Sequence, residues 1–285
     1  MIDSETQLYG LIGHPVMASK SPWIHNHVFN TCGIPGIYLA FNVESKRLSE
    51  AVSGFKALGI KGFNVTMPYK SDIIPLLDDI DPVAKQMRAV NTVVCKDGHF
   101  YGHNTDGPGL IAVLKRHVPE LEQKKILVLG AGGASRGICG TLVSIKGVKL
   151  GIWNRSSEKA IQLATELVHG KSEGCTVTAV CSENNFSEYD VVINTTSVGM
   201  APETESTPIA ISVLKPGAVV CDIVYKPHWT LLLREATHAG HPVIFGIEML
   251  IEQALLAQKL WNDLTDDQLF QIREALMEEF EGFHK

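Results

Sequence analysis

Apolar positions in the first third of the chain fall in short runs separated by stretches of helical spacing. Residues 7–12, 37–41 and 62–65 read as strands. Residues 21–31 and 48–58 carry apolar side chains three and four apart, which marks one face of a helix. Residues 90–95 and 100–102 flank Lys96-Asp97-Gly98 and predict a hairpin. The middle third is more regular. KILVL at 125–129 is the continuous apolar run expected of a strand buried on both faces, and it leads into Gly130-Ala131-Gly132-Gly133 and a helical stretch to about residue 145. Strands at 150–153, 176–180, 191–193 and 219–222, with a helix at 157–169, continue the alternation. After Gly246 the pattern is helical: residues 249–261 form one amphipathic stretch, and the capping box Thr265-x-x-Gln268 opens another that ends near Phe280. Strands interleaved with helices predict an α/β fold, with a doubly wound, Rossmann-type sheet in the middle third. Boundaries fall near Gly107 and Pro242.

Composition adds limits. With 285 residues, 45% hydrophobic and 20% charged, the chain has the make-up of an ordinary globular protein of one large or two medium domains. Its formal charge of -6 argues against a nucleic-acid partner, because phosphate backbones call for a basic surface. It does not exclude an anionic small molecule, which answers to a local site. The six cysteines, at 32, 95, 139, 175, 181 and 221, show no CxxC spacing and no Cys/His cluster, so no metal is expected and the thiols read as reduced. There is no basic-then-apolar leader and no apolar run near the ~20 residues that span a bilayer. The expectation is a cytoplasmic protein with no membrane partner.

Chemistry enters at the glycine-rich turn. GAGGAS has glycines at 130, 132 and 133 but Ser135 in place of the third glycine of GxGxxG. Such a turn lets backbone approach a pyrophosphate, and the helix behind it offers free N–H groups and a positive dipole end. Alone the motif is weak. The strand before it and the helix after it make Gly130, Ala131, Gly132, Gly133 and Ala134 candidate cofactor residues. The next strand ends in Trp153-Asn154-Arg155-Ser156-Ser157-Glu158-Lys159. An NAD site usually carries Asp or Glu at that tip for the ribose diol. Asn154, Arg155, Ser156 and Lys159 suit a 2′-phosphate instead, so the expected cofactor is NADP.

Other motifs are bland singly. Lys70 could be a surface lysine, Asn91 and Asn104 turn residues, and Asp106 a helix cap. Together they are ordered: SKSP at 19–22, IHN at 24–26, NVTMPYK at 64–70, AVNT at 89–92, NTDG at 104–107, NTTSVGM at 194–200, DIVYKP at 222–227 and GIEMLIEQ at 246–253. In this the chain resembles the shikimate/quinate dehydrogenase family over nearly its whole length.

The resemblance implies a substrate-binding catalytic domain at 1–106, an NADP-binding Rossmann-like domain at 107–242, and C-terminal helices at 243–285 that pack back on the first domain. It implies Lys70 and Asp106 as the catalytic pair. Hydride transfer to or from a ring carbon must be matched by a proton on the alcohol oxygen, and a lysine and a carboxylate can shuttle it; which of the two moves the proton stays open. It implies Ser19 and Ser21 at the substrate carboxylate, where Ser21-Pro22 also reads as a helix N-cap followed by Pro. Asn64, Thr66, Asn91, Tyr225 and Gln253 match residues that bind ring hydroxyls or the carboxylate, and Thr196, Ser197, Gly246 and Met249 match the cofactor side. The implied reaction is reversible NADPH-linked reduction of 3-dehydroshikimate to shikimate, by a monomer or homodimer.

Three departures bear on substrate identity. Ala18 replaces a histidine, Arg88 a glycine before AVNT, and Phe63 an alanine. They leave open a relative that oxidises quinate, aminoshikimate or another cyclohexane hydroxy acid. A ligand-binding regulator without turnover would not need both Lys70 and Asp106. His14, His25 and His103 read as structural.

Overall fold

The computed structural model describes residues 2–282. The chain divides into two compact units, Met1–Thr105 with Ile251–Lys285, and Asp106–Leu250.

The first unit holds a mixed six-stranded sheet: β1 (Gln7–Gly13), β2 (Gly36–Asn42), β3 (Gly62–Val65), β4 (Asp79–Ile80), β5 (Thr92–Lys96) and β6 (His99–His103), in the order β2-β1-β3-β5-β6-β4. The strands β2, β1 and β3 run parallel, whereas β5 is antiparallel to both β3 and β6. Its first helices are α1 (Ser21–Cys32), α2 (Leu48–Ala57) and α3 (Pro82–Met87). Register separates two faces. Ile12, Phe63, Val65, Val93 and Phe100 pack with Phe55 of α2 on one. Tyr9, Leu11 and Tyr38 pack with Phe29 of α1 on the other. Each fully buried side chain of this size contributes about 1.5–3 kcal/mol.

The second unit holds an all-parallel sheet: β7 (Lys125–Leu129), β8 (Lys149–Trp153), β9 (Thr176–Val180), β10 (Val191–Asn194), β11 (Val219–Asp222) and β12 (Val243–Ile244), in the order β12-β11-β10-β7-β8-β9. In chain order this is the 3-2-1-4-5-6 arrangement of the doubly wound dinucleotide fold, whose switch point lies between β7 and β10. KILVL is buried on both faces. Ile126 and Val128 join one core with residues of α4 (Asp106–His117), α5 (Gly133–Leu142) and α6 (Ser157–Leu167), while Leu127 and Leu129 join another with α7 (Leu231–His238).

The helix α8 (Gly246–Trp261) begins in the second unit, and from Ile251 onward belongs to the first, as does α9 (Asp266–Gly282). The last residues of the expected C-terminal helices, 283–285, lie outside the described residues. Trp261 closes on the sheet of the first unit, its indole donating to Val93 O at 3.0 Å. Gly62 is required beneath it, since a Cβ there would lie 2.2 Å from Trp261 Nε1. The Thr265–Gln268 box caps α9: Gln268 Oε1 accepts from Thr265 N at 2.9 Å, and Thr265 Oγ1 accepts from Gln268 N at 3.3 Å.

Several expected boundaries shift. The helix after the glycine turn ends at Leu142, not 145, and the one expected to reach 169 is α-helical only to Leu167, followed by a 3-10 turn. The strand expected from 90 starts at Thr92, although Asn91 still pairs through its backbone, its N–H donating to His103 O at 3.1 Å and its C=O accepting from Val65 N at 2.8 Å. Ser21 is not a cap: Lys20 occupies the cap position without a side-chain bond, and Ser21 and Pro22 are the first helical residues.

Candidate functional site

On the Tyr9 face of the first sheet, alternation brings Tyr38 of β2 and Asn64 of β3 to the same side of β1. Tyr38 donates its hydroxyl to Asn64 Oδ1 at 2.7 Å. The Asn64 amide donates to Asn91 O at 3.1 Å and to Thr92 Oγ1 at 3.0 Å. Asn91 Oδ1 accepts from Thr105 N at 2.7 Å, and its Nδ2 donates to Thr105 Oγ1 at 2.9 Å and Gln253 Oε1 at 3.4 Å. The structure therefore gathers Asn64, Asn91 and Gln253 into one buried network, together with Thr92 and Thr105, which sequence alone did not single out. Burial without partners would cost about 1–3 kcal/mol per polar group, so these bonds fix the orientation of each amide.

His25 lies beneath this cluster, stacked on the Tyr38 ring at 4.2 Å between centroids. Asn262 donates to Gln258 Oε1 and Gln258 Nε2 faces His25 Nδ1 at 2.9 Å, so Nδ1 accepts and the proton sits on Nε2. Burial pushes the imidazole down to about 3, with Asn64 opposing. His25 is thus a neutral core residue. His103 pairs with Asp81, the cap of α3, at 3.1 Å. His14 is exposed.

Ser19 precedes α1 and accepts from Ser21 N at 3.2 Å, and the two hydroxyls are 3.2 Å apart. Thr66 and Lys70 follow β3, both half-buried; Thr66 N donates to Ile12 O, and Val90 N donates to Lys70 O at 2.8 Å. In the second unit, Asp106 is the buried first residue of α4, and Tyr225 is half-buried in the loop after β11, its phenol raised by burial.

The glycine turn of the second unit follows β7. Gly130 has φ +116°, and a Cβ there would lie 2.8 Å from Thr195 Oγ1. Ser135 is fully buried where the common pattern has a third glycine, and its hydroxyl lies 2.5 Å from Thr195 Oγ1. Thr195 in turn donates to Leu129 O at 2.7 Å, so Ser135 is the donor. The departure from GxGxxG thus ties the turn to the end of β10. At Gly132 and Gly133 an added Cβ would meet nothing within 4 Å, and no side chain caps α5. Open space before an uncapped helix N-terminus, with Ala131 and Ala134 beside it, fits a pyrophosphate.

At the end of β8, Arg155 and Lys159 are exposed and enter no ion pair among the described residues, whereas Arg136 pairs with Glu166. Asn154 Nδ2 donates to Ser156 O at 2.9 Å and Ser156 Oγ to Glu158 Oε2 at 2.8 Å. Glu158 is lowered by hydrogen bonds from its own backbone N–H and from Ser156. Two unpaired cations fit a 2′-phosphate, but the Ser156 proton is engaged by Glu158.

Thr196 and Ser197 lie beyond β10. Asn194 Oδ1 accepts from Thr196 N at 3.0 Å, and Asn194 Nδ2 donates to Asp222 Oδ1 at 3.0 Å. Asp222 also accepts from Val224 N and Thr230 Oγ1, yet burial pushes its carboxyl up to about 6. This pair ties the Thr196 loop to the Tyr225 loop. Gly246, the first residue of α8, abuts the same segment: a Cβ there would lie 2.6 Å from Ile223 O and Val224 O. Met249 is buried in the core one turn on.

The departures resolve differently. Phe63 is core, edge-on to Phe55 at 5.1 Å and Phe100 at 5.3 Å. Arg88 is exposed and closes α3 at φ 50°, the left-handed region where glycine costs least. Ala18 is exposed ahead of Ser19.

A family model described as the shikimate dehydrogenase substrate binding domain matches residues 11–93, and one described as shikimate / quinate 5-dehydrogenase matches residues 112–206. The chain is 42% identical over 277 residues to the shikimate dehydrogenase (NADP(+)) of Bacillus mycoides strain KBAB4, covering 97% of this chain and 99% of that protein. Among solved structures, it is similar to a shikimate dehydrogenase in complex with NADP+ (TM-score 0.89, 36% identity, 98% of this chain and 97% of that one). It is also similar to shikimate dehydrogenase from Aquifex aeolicus (TM-score 0.85, 40% identity, 95% and 99%).

Proposed function

The chain belongs to the shikimate/quinate dehydrogenase family, and from that premise we propose how its residues divide the work of an NADP-dependent oxidoreductase acting on a CH–OH group. The reaction is the reversible reduction of 3-dehydroshikimate to shikimate. When bound, NADPH supplies the hydride. Lys70 and Asp106 hold the reacting oxygen and move its proton. Ser19 and Ser21 donate to the ring carboxylate. Asn64, Thr66, Asn91, Tyr225 and Gln253 recognise the remaining ring groups, and a buried set of fixed donors and acceptors rejects analogues that lack a hydroxyl. Gly130, Ala131, Gly132, Gly133 and Ala134 receive the pyrophosphate. Arg155 and Lys159 receive the 2′-phosphate, with Asn154 and Ser156 shaping the strand end. Thr196, Ser197, Gly246 and Met249 complete the cofactor side.

The observation that carries this reading is the shared network of Asn64, Asn91 and Gln253, three residues far apart in sequence that all fall in family motifs. A turnover screen tests it: shikimate, quinate and aminoshikimate, each with NADP and NAD. The highest kcat/KM is expected for shikimate with NADP. A higher value for quinate or aminoshikimate would reassign the substrate, and no turnover with any would leave a binding protein. The protein acts on a small molecule as a monomer or homodimer in the cytoplasm, without a nucleic-acid or membrane partner. Among the described residues no helix is long and apolar enough to cross a membrane.

A further inference from the structure

Tyr38 belongs to no motif that marks the site, and its ring reads as core: it is 1% exposed and packs against Tyr9 and Phe29. Its hydroxyl does something a core residue need not do. Asn91 O can only accept, so the Asn64 nitrogen must face it. Thr92 Oγ1 takes the second amide hydrogen at 3.0 Å. Both donors of Asn64 are therefore spent inside the unit, and what remains is Oδ1, which accepts from Tyr38 at 2.7 Å. Tyr38 stands one strand beyond β1, and its phenol spans the distance to β3 that backbone pairing leaves open. Burial raises the phenol well above its ordinary value, with the Ser21 hydroxyl opposing, so it is a neutral donor close to the serine pair as well.

We propose that Tyr38 is a positioning residue for substrate binding that acts through Asn64. Its O–H holds the Asn64 carboxamide at Oδ1 while Asn91 O and Thr92 Oγ1 hold it at Nδ2, so that the amide is fixed from both ends and Oδ1 is presented as an acceptor. A group meeting that oxygen has to donate, which a ring hydroxyl does and a carboxylate does not. The proposal rests on the reading that Asn64 meets the substrate.

A double-mutant cycle separates the two claims. Tyr38→Phe keeps the ring and its stack on His25, and thermal melting checks that it folds. Tyr38→Phe is expected to raise the shikimate KM about tenfold with kcat within about twofold and the NADP KM unchanged, the scale of one lost hydrogen bond to a fixed group. Asn64→Ala raises the shikimate KM by at least as much, and adding Tyr38→Phe to it changes nothing further. A rise with Asn64→Ala but none with Tyr38→Phe, or two rises that multiply in the double variant, overturns the role of Tyr38 alone. No rise with Asn64→Ala overturns the assignment of Asn64 to the substrate, and the proposal with it.

Discussion

The two units bury polar atoms in different ways. In the parallel sheet of the second unit the strands are apolar almost to their ends, and polar side chains collect just where the strands stop: Thr195, Asn194 and Asp222. The first unit carries Tyr38 and Asn64 within its strands β2 and β3, joined to Asn91, Thr92 and Thr105 at the ends of β5 and β6, as one buried cluster. The ligands proposed for each unit match the difference. A pyrophosphate is met by backbone N–H groups at a helix start, so the strands can stay apolar. A ring of hydroxyls has to be met by side chains, and those side chains need buried partners to hold them still. Backbone recognition leaves a core intact; side-chain recognition is built into the core.

The largest expected effect separates chemistry from cofactor binding. Lys70→Ala and Asp106→Asn should each lower kcat about a hundredfold or more, the scale of general acid–base groups, while NADP binding measured by fluorescence titration is retained. Near-normal turnover in either variant removes that residue from the reaction.

The buried titratable groups respond to acid in opposite directions. His25 has a folded pKa of about 3 against an ordinary 6.5, so its neutral form stabilises the fold fully above about pH 6.5, and that stability is lost as pH falls toward 3. From pH 7.5 to 4.5 the loss is about 3 kcal/mol. Asp222 has a folded pKa of about 6 against 3.8, so its burial cost is absent below about pH 4, grows as pH rises, and is complete above about 6. Over the same descent it returns about 2 kcal/mol. Urea unfolding at the two pH values should show His25→Gln losing less stability in acid than the parent, and Asp222→Asn losing more. Unchanged slopes would mean that neither group governs its unit.

Arg155→Ala should weaken NADP by about 1.5–3 kcal/mol and leave NAD nearly unchanged, since it removes a charge-assisted bond that only the 2′-phosphate makes. Equal losses for both cofactors in isothermal titration would place the phosphate elsewhere. Glu158→Ala removes the acceptor that engages the Ser156 hydroxyl, together with a negative charge beside Arg155, and should sharpen the preference for NADP. The smallest effect is Arg88→Gly, expected to raise stability by about 0.5–1 kcal/mol in thermal unfolding by relieving a left-handed backbone at φ 50°. A loss would show that the arginine side chain compensates for its backbone.

How much of this the sequence revealed depended on the kind of signal. KILVL and the glycine turn were legible because a buried strand and a tight βα turn each have a local signature. The helix α4 was missed because DGPG fills its first turn with residues that usually break helices, although that is the one place where proline is tolerated. The strands β4 and β12 have two residues each, too few for any period. Asn64, Asn91 and Gln253 are marked by their motifs, but their bonding to one another has no local signal, and neither does the bond of Tyr38 to Asn64. That bond depends on β1 lying between β2 and β3, and strand order is a long-range fact that no local pattern encodes. Ser135 departs from the GxGxxG fingerprint, and its reason, a bond to Thr195 sixty residues away, has no local signature either.

The most direct test of the division between the units is the pair of Michaelis constants of the Ser19→Ala/Ser21→Ala double variant, set beside those of Arg155→Ala. The serine variant should raise the shikimate KM by about 1–3 kcal/mol in binding terms and leave the NADP KM unchanged, with the reverse for Arg155→Ala. A serine variant that binds shikimate normally, or variants in which both constants rise together, would contradict it.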